Sequence, residues 1–410
     1  MTGARAAVPA GLLFLLTGFL SLQPLSTDLY LASLPSLRTH FDAPVSAVQL
    51  TLSAFLAGFA LSQLLAGPLS DRFGRRPIAV AGLALYAGAS VLGAAAPSLA
   101  VLVVARVAQA LGVCCTVVCA RAIVRDRYEA ELGARVMSRA LSWMGVVPIA
   151  GPVLGGLVQS AFGWRMNFLL LAASGLVLLG LTLRGLPETN RHRDPRATDL
   201  GPLLRNYARV ASSRAFWAHA LPVTGSYGAL FCFISASSFL LIELFGISER
   251  GFGFVYALVT LGYLLGTVAV RRVLARLGLV GAIRLGATVA AIAGALMALL
   301  AAFDVQAPSA VLIPMGFVMA SHGFIQPCCQ IGAIDPFPRN AGAASALMGF
   351  AMLTIASLAG WLVGAWHDGT TRPLAWAVAA STAFCAASAW GLLRRGEPRE
   401  RALPAPQRAP

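Results

Sequence analysis

From residue 10 to residue 394 the chain alternates long apolar runs with short polar breaks. A helix rising 1.5 Å per residue needs about 20 apolar residues to cross a hydrocarbon core of about 30 Å. Twelve runs reach that length, over 10–33, 47–69, 77–97, 100–124, 136–160, 165–185, 215–243, 251–270, 280–303, 308–330, 341–366 and 372–394. The pattern predicts an all-α integral membrane protein with twelve transmembrane helices. One long polar stretch, "GLPETNRHRDPRATDLGPLLRNYARVASSRAF" (185–216), interrupts the series after the sixth run. The expected organisation is an N-terminal six-helix half (1–184), a cytoplasmic linker (185–214), a C-terminal six-helix half (215–394) and a disordered cytoplasmic tail (395–410). "GPLSDRFGRR" (67–76) after the second run is echoed by "GTVAVRRVLARLG" (266–278) after the eighth. The echo points to two pseudo-symmetric halves, the plan on which many transporters place a site near the midplane.

Composition agrees: 58% of the 410 residues are hydrophobic and 11% charged, where soluble domains are about a quarter charged. The net charge of +15 could suggest nucleic acid, but 26 of the 31 arginines gather on alternate loops and the ends. That is the asymmetry by which basic loops stay inside, so both termini are expected in the cytoplasm and no nucleic-acid partner is called for. The chain has no lysine, so it has no P-loop lysine. Any pumping must draw on an ion gradient or another subunit. The seven cysteines all lie within predicted spans and read as core filling. The first run is too long for a removable signal and is expected to be a retained span. Scattered histidines (40, 192, 219, 322, 367) and the absence of HExxH or paired carboxylates argue against an enzyme and against a metal site.

An ionisable group inside a span costs about 2.5–3.5 kcal/mol on insertion scales and normally faces a cavity or a partner. "SLQPLSTDLYLASLP" (21–35) places Asp28 near the end of the first run, four residues after Pro24. The proline leaves the carbonyl of Leu20 without its helical partner and is expected to kink the helix beneath the acid; alternatively Asp28 is an ordinary solvated end residue. In "RVAQALG" (106–112) Arg106 and Gln109 share a helix face, with Gly112 below them. Asp28 is the expected partner of Arg106, directly or through water. A guanidinium bonded to backbone carbonyls is the alternative. A pair that breaks and reforms as Asp28 exchanges a proton would couple protons to conformation.

"GVVPIAGPVLGG" (145–156) removes side chains at Gly145, Gly151, Gly155 and Gly156, while Pro148 and Pro152 bend the helix. Close packing and a hinge are expected. In "GPLSDRFGRRP", with Gly67 and Gly74, Asp71 is placed to cap or pair, and Arg72, Arg75 and Arg76 to reach an acid such as Asp126. His322, Gln326 and Gln330 recur every four residues on one face and would line a cavity or be satisfied core polarity. Tyr30, Trp143, Tyr227 and Phe231 complete the candidate substrate surface.

Taken together, "GPLSDRFGRRP", "RVAQALG" and "GPVLGG" resemble the loop 2–3, span 4 and span 5 signatures of the major facilitator superfamily. "STDLYLASLP", "ARAIVRD", "WRMNF", "FISASSFLLIELFGIS" and "AGAASALMG" further resemble its bicyclomycin-resistance/CflA group of twelve-helix drug:proton antiporters, over nearly the whole chain. The chain departs from that group in having "DLYLASLP" for "DMYLPALP" and "SSF" for "SPF". The resemblance implies that Asp28 belongs to the proton and substrate site and that Arg106 aids coupling. It also implies that the glycine and proline run of span 5 seals or hinges the cavity, and that the Asp71/Arg75 cluster locks the cytoplasmic side. The expected function is efflux of a small, largely apolar drug-like compound in exchange for protons, by a monomer in the bacterial inner membrane that needs no cofactor beyond the proton gradient. A facilitator of the same fold moving an amino acid, sugar or similar metabolite is the alternative.

Overall fold

The computed structural model describes residues 9–393; the tail expected to be disordered lies outside them. Among the described residues all regular structure is helical. The first span is α1 (Ala10–Asp28), a 3₁₀ turn (Leu31–Ser33) and α2 (Leu34–Phe41). Then follow α3 (Val45–Phe73), α4 (Arg75–Ala94), α5 (Leu99–Arg127), α6 (Ala130–Met144), α7 (Val147–Phe162) and α8 (Trp164–Gly185). The linker contains α9 (Leu200–Ala211). The second half has α10 (Arg214–Ser238) with a π turn (Phe239–Leu244), α11 (Glu249–Ala302), α12 (Pro308–Ile334), α13 (Ala341–Ala365) and α14 (Arg372–Gly391).

Three differences from the sequence expectations have local causes. The eighth and ninth spans form one 54-residue element, α11, divided only at Gly278 (φ 66°, ψ −178°). No separate loop exists there because a glycine adopts that left-handed turn without a clash. The first helix continues through Pro24 and ends at Asp28, so the chain leaves helical geometry just after the acid. Thr27 Oγ1 donates to Pro24 O at 2.9 Å. The fifth span is cut at Gly145 and Val146 into α6 and α7.

The two six-span halves meet along two seams, α3 against α13 and α7 against α11. One apolar core runs through both halves, with Phe19, Phe55, Phe168, Phe233 and Phe252 fully enclosed. A second core, around Phe216, Ile283 and Cys329, fills the arginine-rich end of the second half.

Candidate functional site

Asp28 is the last residue of α1 and only 5% exposed, the one acidic residue buried among the described residues. Its carboxylate accepts from Thr27 Oγ1 at 3.1 Å. A Cβ on Gly151 would stand 3.2 Å from the Asp28 Cβ, so α7 lies directly over the acid. The 3₁₀ turn that follows the acid packs on α10 and α11 of the other half. The acid therefore sits where the halves face each other.

Arg106 does not pair with it. The guanidinium is fully buried and sandwiched 4.5 Å from the Tyr30 ring centre and 4.3 Å from that of Phe55. Nε donates to Thr51 O at 3.4 Å and Nη1 to Gln109 Oε1 at 2.9 Å, while Nη2 has no partner. This is the arrangement given above as the alternative, ligation by a carbonyl. The reason is directional, because α1 ends at Asp28 and the chain turns before Tyr30. Tyr30 is thereby set against Arg106 of α5, while Asp28 lies against Gly151 of α7. Charge complementarity alone could not reveal that.

Around the arginine, Tyr30 OH shares a 2.5 Å hydrogen bond with Thr51 Oγ1. Gln109 Nε2 donates to Ser90 Oγ at 2.7 Å, and Ser90 donates to Tyr86 O at 2.7 Å. Tyr86 OH shares a 2.8 Å bond with Ser26 Oγ. Polar contacts thus run from Arg106 through α5 and α4 to α1 on both sides of Asp28. Tyr30 is itself fully enclosed and presents no surface to an open space.

On the second half, His322 is buried, its Nδ1 2.9 Å from Ser226 Oγ and its ring between Tyr227 (5.7 Å) and Tyr263 (5.8 Å). Tyr263 OH donates to Gln326 Oε1 at 2.9 Å. Gln330 is half-buried. His322 and Gln326 are thus joined to Tyr227 and Tyr263 in one buried group. Phe231 is not brought there: it is 1% exposed and its ring fills the space over Gly360 in the α10–α13 contact. Trp143 is 65% exposed on α6 and packs on none of these groups.

The glycines of the fifth span divide. A Cβ on Gly155 would overlap Leu29 O, at the break after Asp28, and one on Gly156 would overlap Glu249 O. α7 is thereby wedged between the halves, and Gly253 abuts Pro152 O from the other side. Gly145 instead ends α6 and faces the carbonyls of its own last turn, so it serves the break rather than a helix contact.

Polar ties between the halves cluster at the arginine-poor end. Arg38 meets Glu243 at 2.7 Å, and Ser36 Oγ and Gln159 Nε2 both donate to Glu249 Oε1 at 3.2 Å. Gln159 also donates to Ser36 at 2.8 Å, and Arg250 donates to Ser160 at 2.9 Å. Apart from the acid Glu243, these partners carry no signal in the sequence, since each lies more than 80 residues from its mate in the other half.

At the arginine-rich end Arg75 donates to Asp126 (2.9 Å), Asp71 (2.6 Å) and Ser70 (2.7 Å). Arg72 donates to Thr198, and Arg76 to Leu183 O at 3.0 Å. Gly74, at φ 105°, makes the tight turn; a Cβ on Gly67 would meet nothing. Glu188 of the linker was not anticipated. It accepts from the backbone of Arg75 (3.0 Å) and Arg76 (3.3 Å), capping the free N–H groups of α4, and from Thr189 and Asn190. Burial pushes its carboxyl upward, but these four backbone donors outweigh burial and hold it below the usual range.

The comparisons fit this architecture. A family described as Major Facilitator Superfamily matches residues 14–357. The chain is 32% identical over 354 residues to a protein named "Multidrug resistance protein MdtL" from Escherichia coli O45:K1, covering 84% of this chain and 88% of that one. It is 26% identical over 365 residues to the "Bicyclomycin resistance protein homolog" of Haemophilus influenzae, covering 88% and 91%. Its fold resembles the crystal structure of a D-xylose-proton symporter, with a TM-score of 0.73, 18% identity, and 93% and 98% of the chains covered. With twelve spans in two halves and the arginine-rich turn after the second, this multi-pass membrane protein belongs to the Major Facilitator Superfamily.

Proposed function

We propose that this protein exports a small, largely apolar drug-like compound in exchange for protons, by alternating access. Asp28 carries the reading: the one carboxylate buried among the described residues, at the break of the first span and against α7, which packs on the second half. Ionised, it leaves the cavity ready for substrate from the cytoplasm; protonated from outside, it resets the cavity once substrate has left. Moving one charge through about 150 mV supplies about 3.5 kcal/mol, a gradient of a few hundredfold for a neutral solute. Positive-inside orientation makes the arginine-rich end cytoplasmic, so the Arg38–Glu243 and Glu249 ties close the outside. The two named relatives support export of a toxic compound over uptake of a metabolite. The test is substrate-driven proton movement in vesicles holding the full chain. Asp28→Asn should abolish it while substrate binding survives. Fully pH-coupled transport by that variant would remove Asp28 from the mechanism, and efflux of a metabolite but no toxic compound would replace the substrate class.

A further inference from the structure

Helix α9 of the linker presents three faces. Toward the protein, Tyr207 OH donates to Leu64 O of α3 at 2.8 Å, and Val210 is fully buried in the second half's core. α9 also packs on α13, so this face joins both halves. Beside it runs an apolar stripe at i, i+4 and i+8, made of Leu200 (67% exposed), Leu204 (62% exposed) and exposed Ala208. Beyond that stripe stand exposed Arg205 and Arg209, one turn apart, and exposed Arg191, Arg193 and Arg196 precede the helix.

Leu64 lies nine residues before the end of α3, about 13 Å along its axis. A linker helix anchored to that carbonyl lies at the depth where a spanning helix leaves the hydrocarbon, not out in solution. Two leucines of such exposure facing water would be costly, whereas a stripe of this width between a protein face and a basic face suits the boundary between acyl chains and headgroups. We infer that α9 is an interfacial helix that inserts Leu200 and Leu204 beside the α3–α13 seam and binds the phosphates of anionic phospholipids through Arg205 and Arg209. It is a built-in lipid contact that touches both halves, independent of the cargo. Asp194 and Asp199 are the acids near it, and both lie at its start, away from the Arg205–Arg209 edge.

The test uses the full chain reconstituted in vesicles of phosphatidylcholine alone or mixed with phosphatidylglycerol, with Leu204→Cys carrying a polarity-sensitive label. The label should emit as in an apolar medium and be quenched by bromine-substituted acyl chains rather than by aqueous iodide. Arg205→Gln with Arg209→Gln should abolish the preference of bound lipid for phosphatidylglycerol. The loss should approach about fivefold for each arginine, the usual contribution of a basic side chain near an anionic surface. An iodide-quenched label in both vesicle types, or a lipid preference that survives loss of both arginines, would overturn the inference. So would an iodide-exposed label that becomes shielded only when a soluble protein is added, because α9 would then be a protein-docking face.

Discussion

The Arg106 guanidinium lies over the Tyr30 ring, 4.5 Å from its centre, and Tyr30 is two residues beyond Asp28 in the broken first span. The arginine therefore acts on the acid by holding the backbone that carries it. A planar cation between two rings is something lysine cannot reproduce. Arg106→Lys should lower transport at least tenfold and cost about 1–3 kcal/mol of stability as both cation–π contacts are lost. Tyr30→Phe keeps the ring and should lose only the Thr51 hydrogen bond, about 1 kcal/mol. Vesicle transport with thermal unfolding in detergent separates the two. Equal effects of both variants would mean that the ring contact is not what matters.

The wedge of α7 makes a second prediction from space alone. Gly155→Ala would drive a methyl into the Leu29 carbonyl, and backbone cannot yield as a side chain does. The cost should be about 1–3 kcal/mol, with the melting temperature falling accordingly. Gly67→Ala meets nothing and should leave melting and transport unchanged.

Arg38 and Glu243 tie the halves at one end. Reversing either charge alone should favour opening there, read as faster labelling of a cysteine placed at Ser36. The double reversal, Arg38→Glu with Glu243→Arg, should restore slow labelling. Both side chains are partly exposed, so the coupling should be about 0.2–1 kcal/mol. Labelling that ignores all three variants would show that the pair does not latch the halves.

Glu188 gives a pH dependence with a definite sign. Its folded carboxyl titrates below the ordinary range, so its stabilisation is present above the unfolded value, near 4.5, and is lost as pH falls through the folded one. Glu188→Gln should melt earlier than the native chain at pH 7, and the gap should narrow progressively below about pH 4.5. A gap that stays constant down to pH 3 would deny Glu188 its charged role at the N-terminus of α4.

Much of the fold was legible because long apolar runs admit few solutions in a bilayer, and the polar positions within them stood out against that background. Asp28 and Arg106 were visible for that reason. Their mutual geometry was not, because it depends on which way the chain turns after Asp28. Phe231 and Trp143 show the same limit: an aromatic side chain in a span reads alike whether it fills a helix contact, as Phe231 does over Gly360, or stands exposed, as Trp143 does. Glu188 and Gln159 were invisible because their partners lie in distant stretches of chain. Only the closed tertiary structure brings a linker carboxylate to the N–H groups of α4, or a glutamine of α7 to the start of α11.

The single left-handed residue at Gly278 has a mechanical result for the second half. Two membrane crossings joined by one residue, with adjacent Cα atoms 3.8 Å apart, have no slack between them. The facing ends of the two arms therefore cannot part, so a shift of one arm along its axis carries the near end of its twin with it, while the glycine leaves the angle between them free to change.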